Sequence, residues 1–393
     1  MYSFSKRTDW EHGENPLSLA LTELRAQGTD IVDLTESNPT KCGLNYPADI
    51  FLKPLSAAEG LTYAPQPLGL LSAREAVARY YNEKCVHVSP EQIMLTASTS
   101  EGYSYIFRLL AGPGEKVLLP APSYPLFSYL AGLCDVEVGY YAMTFEGGRW
   151  QIDVDALKAA IDDKTRAIIL VSPNNPTGSF VKRDELKKLN HICAAHGLAL
   201  ICDEVFGDYI FPGFEKEYVS LASNAEVPTF VLSGLSKAVA LPQMKLGWVV
   251  VNGPEAYKKE AMPRLEVIAD TYLSVNTPVQ HAAPLWLKER AVMRDQVMAR
   301  VTENFRILNE EAAHVKIAAV LPVEGGWYAA LKMDMSEEED IFAVQLLKEQ
   351  HVYVHPGFFF DFPEEGYIVL SLLPVPTRFR EGIRRLLNCQ QPT

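Results

Sequence analysis

Three polar residues stand at the ends of apolar runs, and their types suit carbonyl chemistry. Lys237 closes the run Val231-Leu232-Ser233-Gly234-Leu235-Ser236-Lys237. A cation rarely ends a buried strand unless it is paired or reactive. An amine with a lowered pKa supplies the neutral nucleophile that forms a Schiff base. Upstream, Ile168-Ile169-Leu170-Val171 runs into Ser172-Pro173-Asn174-Asn175-Pro176-Thr177-Gly178, a strand followed by a Pro/Asn/Gly turn. Between the two, Leu198-Ala199-Leu200-Ile201-Cys202 ends on Asp203-Glu204. Taken singly, each residue has a plainer reading: a turn asparagine, a helix-capping or surface acid, a lysine leaving a strand for solvent. Their shared placement after continuous apolar runs sets those readings aside.

The elements that must position these residues follow from the same pattern. Continuous apolar runs alternating with helical periodicity indicate a parallel α/β sheet, and such sheets bind ligands at the carboxyl ends of their strands. Asn175, Asp203 and Lys237 should therefore meet on one edge. Further strands are predicted at 93–96, 117–119 and 246–251. Helices are predicted at 16–27, where Leu17, Leu21 and Leu24 keep helical spacing before Gly28, at 101–110, and at 184–196. Thr96-Ala97-Ser98-Thr99-Ser100-Glu101-Gly102 joins a strand to a helix, and the amides of a helix N-terminus suit an anion. An ordinary N-cap uses the same residue types. From 285 a long helical stretch leads into a smaller α+β unit with strands at 326–331, 352–354 and 367–370 and a last helix at 377–387.

Composition narrows the function class. The chain has 393 residues, enough for two domains, and is 48% hydrophobic and 22% charged, as expected of a globular protein with a sizeable core. Its net charge of −13, with no basic cluster, argues against nucleic acid. No apolar run is long enough for a membrane span, and the N-terminus lacks the apolar core of a secretory signal, so a cytoplasmic location is expected. Cys42, Cys85, Cys134, Cys193, Cys202 and Cys389 show no metal-ligand spacing; reduced thiols, mostly in the core, and no metal are expected.

The ordered set Asn-Pro-Thr-Gly, Asp-Glu-Val-Phe and Ser-Lys resembles the fold-type I pyridoxal-phosphate enzymes, specifically class I/II aminotransferases, over nearly the whole chain. The resemblance implies a mostly parallel central sheet with helices on both faces plus a smaller α+β domain. It implies a large cofactor-binding domain at 46–284 and a small domain from 1–45 and 285–393. It implies pyridoxal 5'-phosphate as cofactor, joined to Lys237 as a Schiff base. Asp203 would pair with the pyridine nitrogen and Asn175 with the phenolic oxygen. Ser98, Thr99, Ser100, Ser236 and Lys245 would hold the phosphate. Tyr124 would stack on the ring. Tyr63 would reach the phosphate of a neighbouring subunit, making the enzyme a homodimer with shared sites. Asn38, Trp327, His355 and Phe359 would border the substrate.

Four positions depart from the commonest family pattern. Lys245 stands where most relatives have a phosphate-binding arginine. Gly234 replaces a serine, for which Ser233 or Ser236 can compensate. Phe206 replaces a tyrosine that helps hold the phenolic oxygen, with Tyr209 the nearest phenol in sequence. Val369, in Tyr367-Ile368-Val369-Leu370-Ser371, takes the place of the arginine that clamps the substrate carboxylate. Arg378, Arg380 and Arg7 do not match it in register, and Arg7 is the first to test because the arm borders the substrate in relatives. The expected activity is transfer of an amino group from an amino donor, with large apolar or aromatic amino acids favoured, to a 2-oxo acid. The enzymatic alternative is a carbon–sulfur β-lyase or another non-transaminating pyridoxal-phosphate enzyme. A ligand-sensing relative without catalysis is a third possibility, opposed by the retention of Lys237, Asp203 and Asn175.

Overall fold

The computed structural model describes residues 4–10, 13, 15–335 and 337–388. Its strands are β1 (Val32–Asp33), β2 (Ile93–Thr96), β3 (Lys116–Ala121), β4 (Glu137–Glu146), β5 (Arg149–Ile152), β6 (Thr165–Val171), β7 (Ala199–Asp203), β8 (Thr229–Gly234), β9 (Gly247–Asn252), β10 (Ala318–Val320), β11 (Tyr328–Met333), β12 (Val352–Tyr353), β13 (His355–Pro356) and β14 (Tyr367–Ser371). Eight of them form a central sheet in the order β2-β9-β8-β7-β6-β3-β4-β5. β4, β3, β6, β7 and β8 run parallel, and β9 runs antiparallel to both β8 and β2. Two antiparallel steps restore the strand direction, so β2 ends on the same edge as β6, β7 and β8.

Burial on both faces explains why these strands read as unbroken apolar runs. Along β6, Ile168 and Leu170 join one core while Ala167, Ile169 and Val171 join the other. In β8, Val231 faces the first core and Phe230 and Leu232 the second. Helix Thr99–Leu110 lies against the sheet where Gly102 leaves room. A Cβ on Gly102 would stand 2.9 Å from the Leu232 side chain. That helix starts two residues before the predicted position, because the Ser98 hydroxyl accepts from the Glu101 amide at 3.2 Å and caps it.

The remaining strands form a four-stranded antiparallel sheet, β10-β11-β14-β13, and a parallel pair, β1 with β12. Helices Ala291–Ala312 and Pro376–Asn388 pack on each other beside these strands. The segment before β11 is tied to the central sheet's loops. The Gly325 amide donates to the Gly178 carbonyl at 2.9 Å, and the Gly326 amide to the Tyr209 carbonyl at 2.8 Å. Gly178 (φ +71°) is required at this crossing, since a Cβ there would meet the Gly325 oxygen at 2.9 Å. A buried ion pair, Lys182 Nζ to Glu324 Oε2 at 2.7 Å, closes the same junction.

The N-terminal turn Lys6–Thr8 lies on helix Leu126–Leu133 of the central-sheet unit, with Trp10 edge-on to Tyr129. Cys42, Cys85, Cys134, Cys193 and Cys202 are free thiols; three of these five are in the core, as expected of most, while Cys85 is exposed and Cys134 half-buried, and Cys389 lies outside the described residues. No cluster of potential metal ligands occurs among the described residues. None of the described helices is long and apolar enough to cross a membrane.

Candidate active site

Eight residues singled out from the sequence line one cleft of about 900 Å³: Ser98, Thr99, Ser100, Tyr124, Asn175, Asp203, Ser236 and Lys237. They meet because Val171, Asp203 and Leu232 are register partners across β6, β7 and β8, so the three following loops leave the sheet side by side. The Ser172 amide donates to the Asp203 carbonyl at 2.9 Å, which fixes the first of these loops to the second.

Lys237 sits in the short helix Leu235–Ala238 directly after β8. Its main-chain oxygen accepts from the Tyr209 hydroxyl at 2.6 Å. Its amine lies 4.4 Å from the centre of the Trp327 ring and 5.4 Å from that of Phe206. Tyr209 is thus engaged with the backbone and does not stand in for the hydroxyl that Phe206 lacks. Burial lowers the Lys237 pKa to about 8, against the opposing pull of Asp203 and Cys42. Below that value the neutral fraction falls about tenfold per pH unit. We therefore expect the cofactor-free protein to capture pyridoxal phosphate at a rate that climbs with pH up to about 8 and then levels. Stopped-flow absorbance from pH 6.5 to 9.5 measures this. A rate still climbing at pH 9.5 would indicate an ordinary, solvated lysine.

Asp203 is buried. Its Oδ1 accepts from the Val205 amide at 3.0 Å and its Oδ2 from the Tyr103 hydroxyl at 3.3 Å. Burial raises its pKa to about 6, although Val205, Tyr103 and Lys237 favour the charged form. No cation forms an ion pair with it among the described residues. Asn175 is also buried, and its Oδ1 has no hydrogen-bond partner. Asn174 is the residue that holds this turn, its Oδ1 accepting from the Thr177 hydroxyl at 3.1 Å.

At the far wall of the cleft, the amides that open helix Thr99–Leu110 have no intrahelical acceptors. Gly247 lets this turn lie against β9, since a Cβ there would stand 3.0 Å from the Ser98 carbonyl carbon and 3.1 Å from the Thr99 nitrogen. A buried acid without a cation, a buried asparagine side chain with no hydrogen bond among the described residues, a lysine with a lowered pKa and an open helix N-terminus suit a phosphorylated pyridine aldehyde.

A second chamber of about 610 Å³, lined by Asp33, Thr35, Glu36, Ser37, Asn38, Pro39, Lys237 and Pro242, shares Lys237 and Ser37 with the cleft. Asn38 belongs to this chamber. Ser37 carries little signal in the sequence beyond the turn-forming run Ser37-Asn38-Pro39 that it shares with Asn38.

Other expected residues lie elsewhere. Lys245 is exposed with a left-handed backbone (φ 49°) and is not among the cleft's lining residues, although its neighbours Leu246 and Gly247 are. Tyr63 is 82% exposed and borders a separate groove. Trp327 is fully buried beneath Lys237, and its neighbour Tyr328 lines the cleft instead. His355 and Phe359 touch each other at 5.9 Å between ring centres but line neither chamber, and Phe358 is half exposed. The aromatic wall is therefore Tyr124, Phe127, Phe206 and Tyr328.

Val369 is buried in β14, opposite Ala330 and His355. Among the described residues no arginine lines either chamber. Arg7 is paired with Asp135, Arg378 with Asp30 and Glu381, and Arg380 with Glu310 and Glu311.

Comparison with known proteins adds a family to this geometry. Residues 29–376 match the family described as aminotransferase class I and II. The chain is 26% identical to the glutamate-pyruvate aminotransferase AlaA of Haemophilus influenzae, with 98% of each chain aligned. It is 26% identical to the tyrosine aminotransferase of Bos taurus, over 96% of this chain and 88% of the relative. Among solved structures, the alanine aminotransferase of Pyrococcus furiosus superposes with a TM-score of 0.88 at 26% identity, covering 98% of each chain.

Proposed function

The chain belongs to the class I and II aminotransferases, which depend on pyridoxal phosphate, and from that premise we propose that its amino donor is a large apolar or aromatic amino acid. The acceptor is a 2-oxo acid. The observation that carries this reading is the convergence of Lys237, Asp203, Asn175 and the Ser98–Ser100 turn on one cleft with an aromatic wall. The tyrosine aminotransferase relative agrees with an aromatic donor, while the alanine-type relatives differ in donor, so the names alone do not choose.

Each residue has a distinct task in this reading. Pyridoxal phosphate, when bound, supplies the aldehyde that captures the amino group and the ring that takes up the electrons released at Cα. Lys237 holds the cofactor before substrate arrives. Its freed amine would then take the proton from Cα and deliver it to the carbon on the other side of the transferred nitrogen, a general acid–base role that a pKa near 8 suits. Asp203 keeps the pyridine nitrogen protonated. Asn175 donates its amide to the phenolic oxygen. The amides and hydroxyls of Ser98, Thr99 and Ser100 take the phosphate, with Ser236 and, from the rim, Lys245. Tyr124 faces the ring. Aromatic burial draws in the side chain of the donor.

A half-reaction screen tests the proposal. Phenylalanine, tyrosine or leucine should convert the absorbance of the loaded enzyme to that of pyridoxamine phosphate, and faster than aspartate does. Faster conversion by aspartate would refute the donor class.

The same reading places the enzyme in the cytoplasm as a homodimer, with domains at 46–284 and at 1–45 joined to 285–393. Pairing of β1 with β12 supports bringing the N-terminal segment to the small domain, although residues 6–10 extend onto the larger one. Tyr63 and Leu61, 82% and 91% exposed, support a partner over that surface. If Tyr63 completes the partner's phosphate site, a Lys237→Ala subunit paired with a Tyr63→Phe subunit contains one intact site. Mixing the two variants under exchange conditions should then restore roughly a quarter of native activity, as random pairing into dimers gives. Activity no higher than the mean of the two separate variants would refute shared sites.

A further inference from the structure

Among the described residues that line the two chambers, Lys237 is the sole cation, and in the reading above it is already committed to the cofactor. The acids are Asp203, which lies in the cofactor cleft, and Asp33 and Glu36 in the second chamber. Asp33 has partial cover: Arg25 stands 3.4 Å away, and its Oδ1 accepts from the Thr35 amide and hydroxyl at 2.9 and 2.7 Å. Glu36 has no cationic partner among the described residues; its Oε1 accepts only from the Asn38 amide, at 2.8 Å. A negative wall of this kind repels a second carboxylate and tolerates a neutral or cationic side chain.

A substrate carboxylate must still find donors, because an unpaired anion in such a cleft is strongly disfavoured. Ser37 lines both chambers beside Lys237 and shares the cofactor cleft with the Tyr328 phenol. Both residues are half-buried, and Tyr328 lines the cleft. Two hydroxyls in the cleft, that of Ser37 at its junction with the second chamber, form a neutral receptor for one carboxylate. We propose that Ser37 and Tyr328 bind the single carboxylate of the substrate and that Glu36 excludes a second one, so that donor and acceptor are both monocarboxylates. This rests on the aminotransferase reading of the same cleft.

The test measures binding to the loaded enzyme without turnover, using 3-phenylpropionate, 3-phenylpropan-1-ol and glutarate, each followed through the cofactor absorbance. The native enzyme should bind 3-phenylpropionate more tightly than glutarate. Ser37→Ala and Tyr328→Phe should each weaken 3-phenylpropionate by about tenfold and leave the alcohol unchanged, as loss of a hydrogen bond to an ion requires. Ser37→Thr keeps the hydroxyl and should retain the acid. Glu36→Gln should tighten glutarate several-fold without changing 3-phenylpropionate. Equal losses for acid and alcohol, no loss in either hydroxyl variant, or native preference for glutarate would overturn the proposal. Discrimination of acid from alcohol with no half-reaction from any amino donor would instead overturn the reading of function and leave this receptor standing.

Discussion

Replacing Lys237 by alanine should abolish covalent attachment of the cofactor and lower turnover by roughly 10⁴-fold or more, since it removes both the nucleophile and the proton carrier. The geometry leaves no substitute. Lys237 is the only lysine among the described residues lining either chamber. Its main chain is held by the Tyr209 hydroxyl at 2.6 Å, and its amine is placed over Trp327 at 4.4 Å, so another lysine would have to displace buried aromatics to reach the same point. Borohydride reduction of the loaded native protein followed by peptide mapping should place the label on Lys237. Label on any other lysine would refute the assignment of the whole cleft.

Asp203→Ala should weaken cofactor binding and lower kcat by about 10²–10³-fold, the scale of losing a preorganised electrostatic partner in a water-poor site. The same acid makes a second, opposite prediction for the cofactor-free protein. Burial raises its pKa from 3.8 to about 6. The folded state therefore holds the proton more tightly than the unfolded chain. The stability this confers is present in full below the unfolded value and is lost as pH rises through about 6. At pH 7 the ionised carboxylate is a net burden of order 3 kcal/mol, which the paired cofactor would relieve. Asp203→Asn should consequently melt a few degrees higher than the native cofactor-free protein at pH 7, with the difference vanishing near pH 4. Loading pyridoxal phosphate should reverse the order. Equal melting temperatures at pH 7 without cofactor would mean that Asp203 is solvated or paired in some other way.

Both predictions express one property of this cleft. The groups that suit chemistry are those the fold holds at a cost: a buried acid without a cation, an amine with a lowered pKa and an amide oxygen without a donor. The cofactor proposed for the site supplies a cation to the acid and an aldehyde to the amine, and it offers the Asn175 side chain an acceptor for its NH2 while leaving the Oδ1 atom to other donors.

The backbone elements and the cofactor end of the cleft were legible in the amino-acid sequence, because local rules decide them. Strands buried on both faces must be apolar throughout, so β6, β7 and β8 announced themselves together with the polar residues that end them. The Ser98 cap and the Asn-Pro-Thr-Gly turn are short-range chemistry, readable within a few residues. Boundaries slipped by one or two residues at several ends, as at β3, β9 and β11, and at Thr99 a side-chain cap extended the helix.

The substrate end obeyed no such rule. Trp327 and Tyr328 are neighbours in a strand-leading segment, yet one is fully buried under Lys237 and the other lines the cleft. Their alternation is set by how the segment docks on Gly178 and Tyr209, distant in sequence. The exposure of Lys245, the withdrawal of His355 and Phe359 from the cleft and the engagement of Arg7 with Asp135 likewise depend on contacts between remote elements. Ser37 enters the site only because β1 pairs with β12 and carries the following turn over Lys237. Periodicity and turn chemistry determine which residues can sit at a strand end. The packing of one unit on another decides which of them share a cavity.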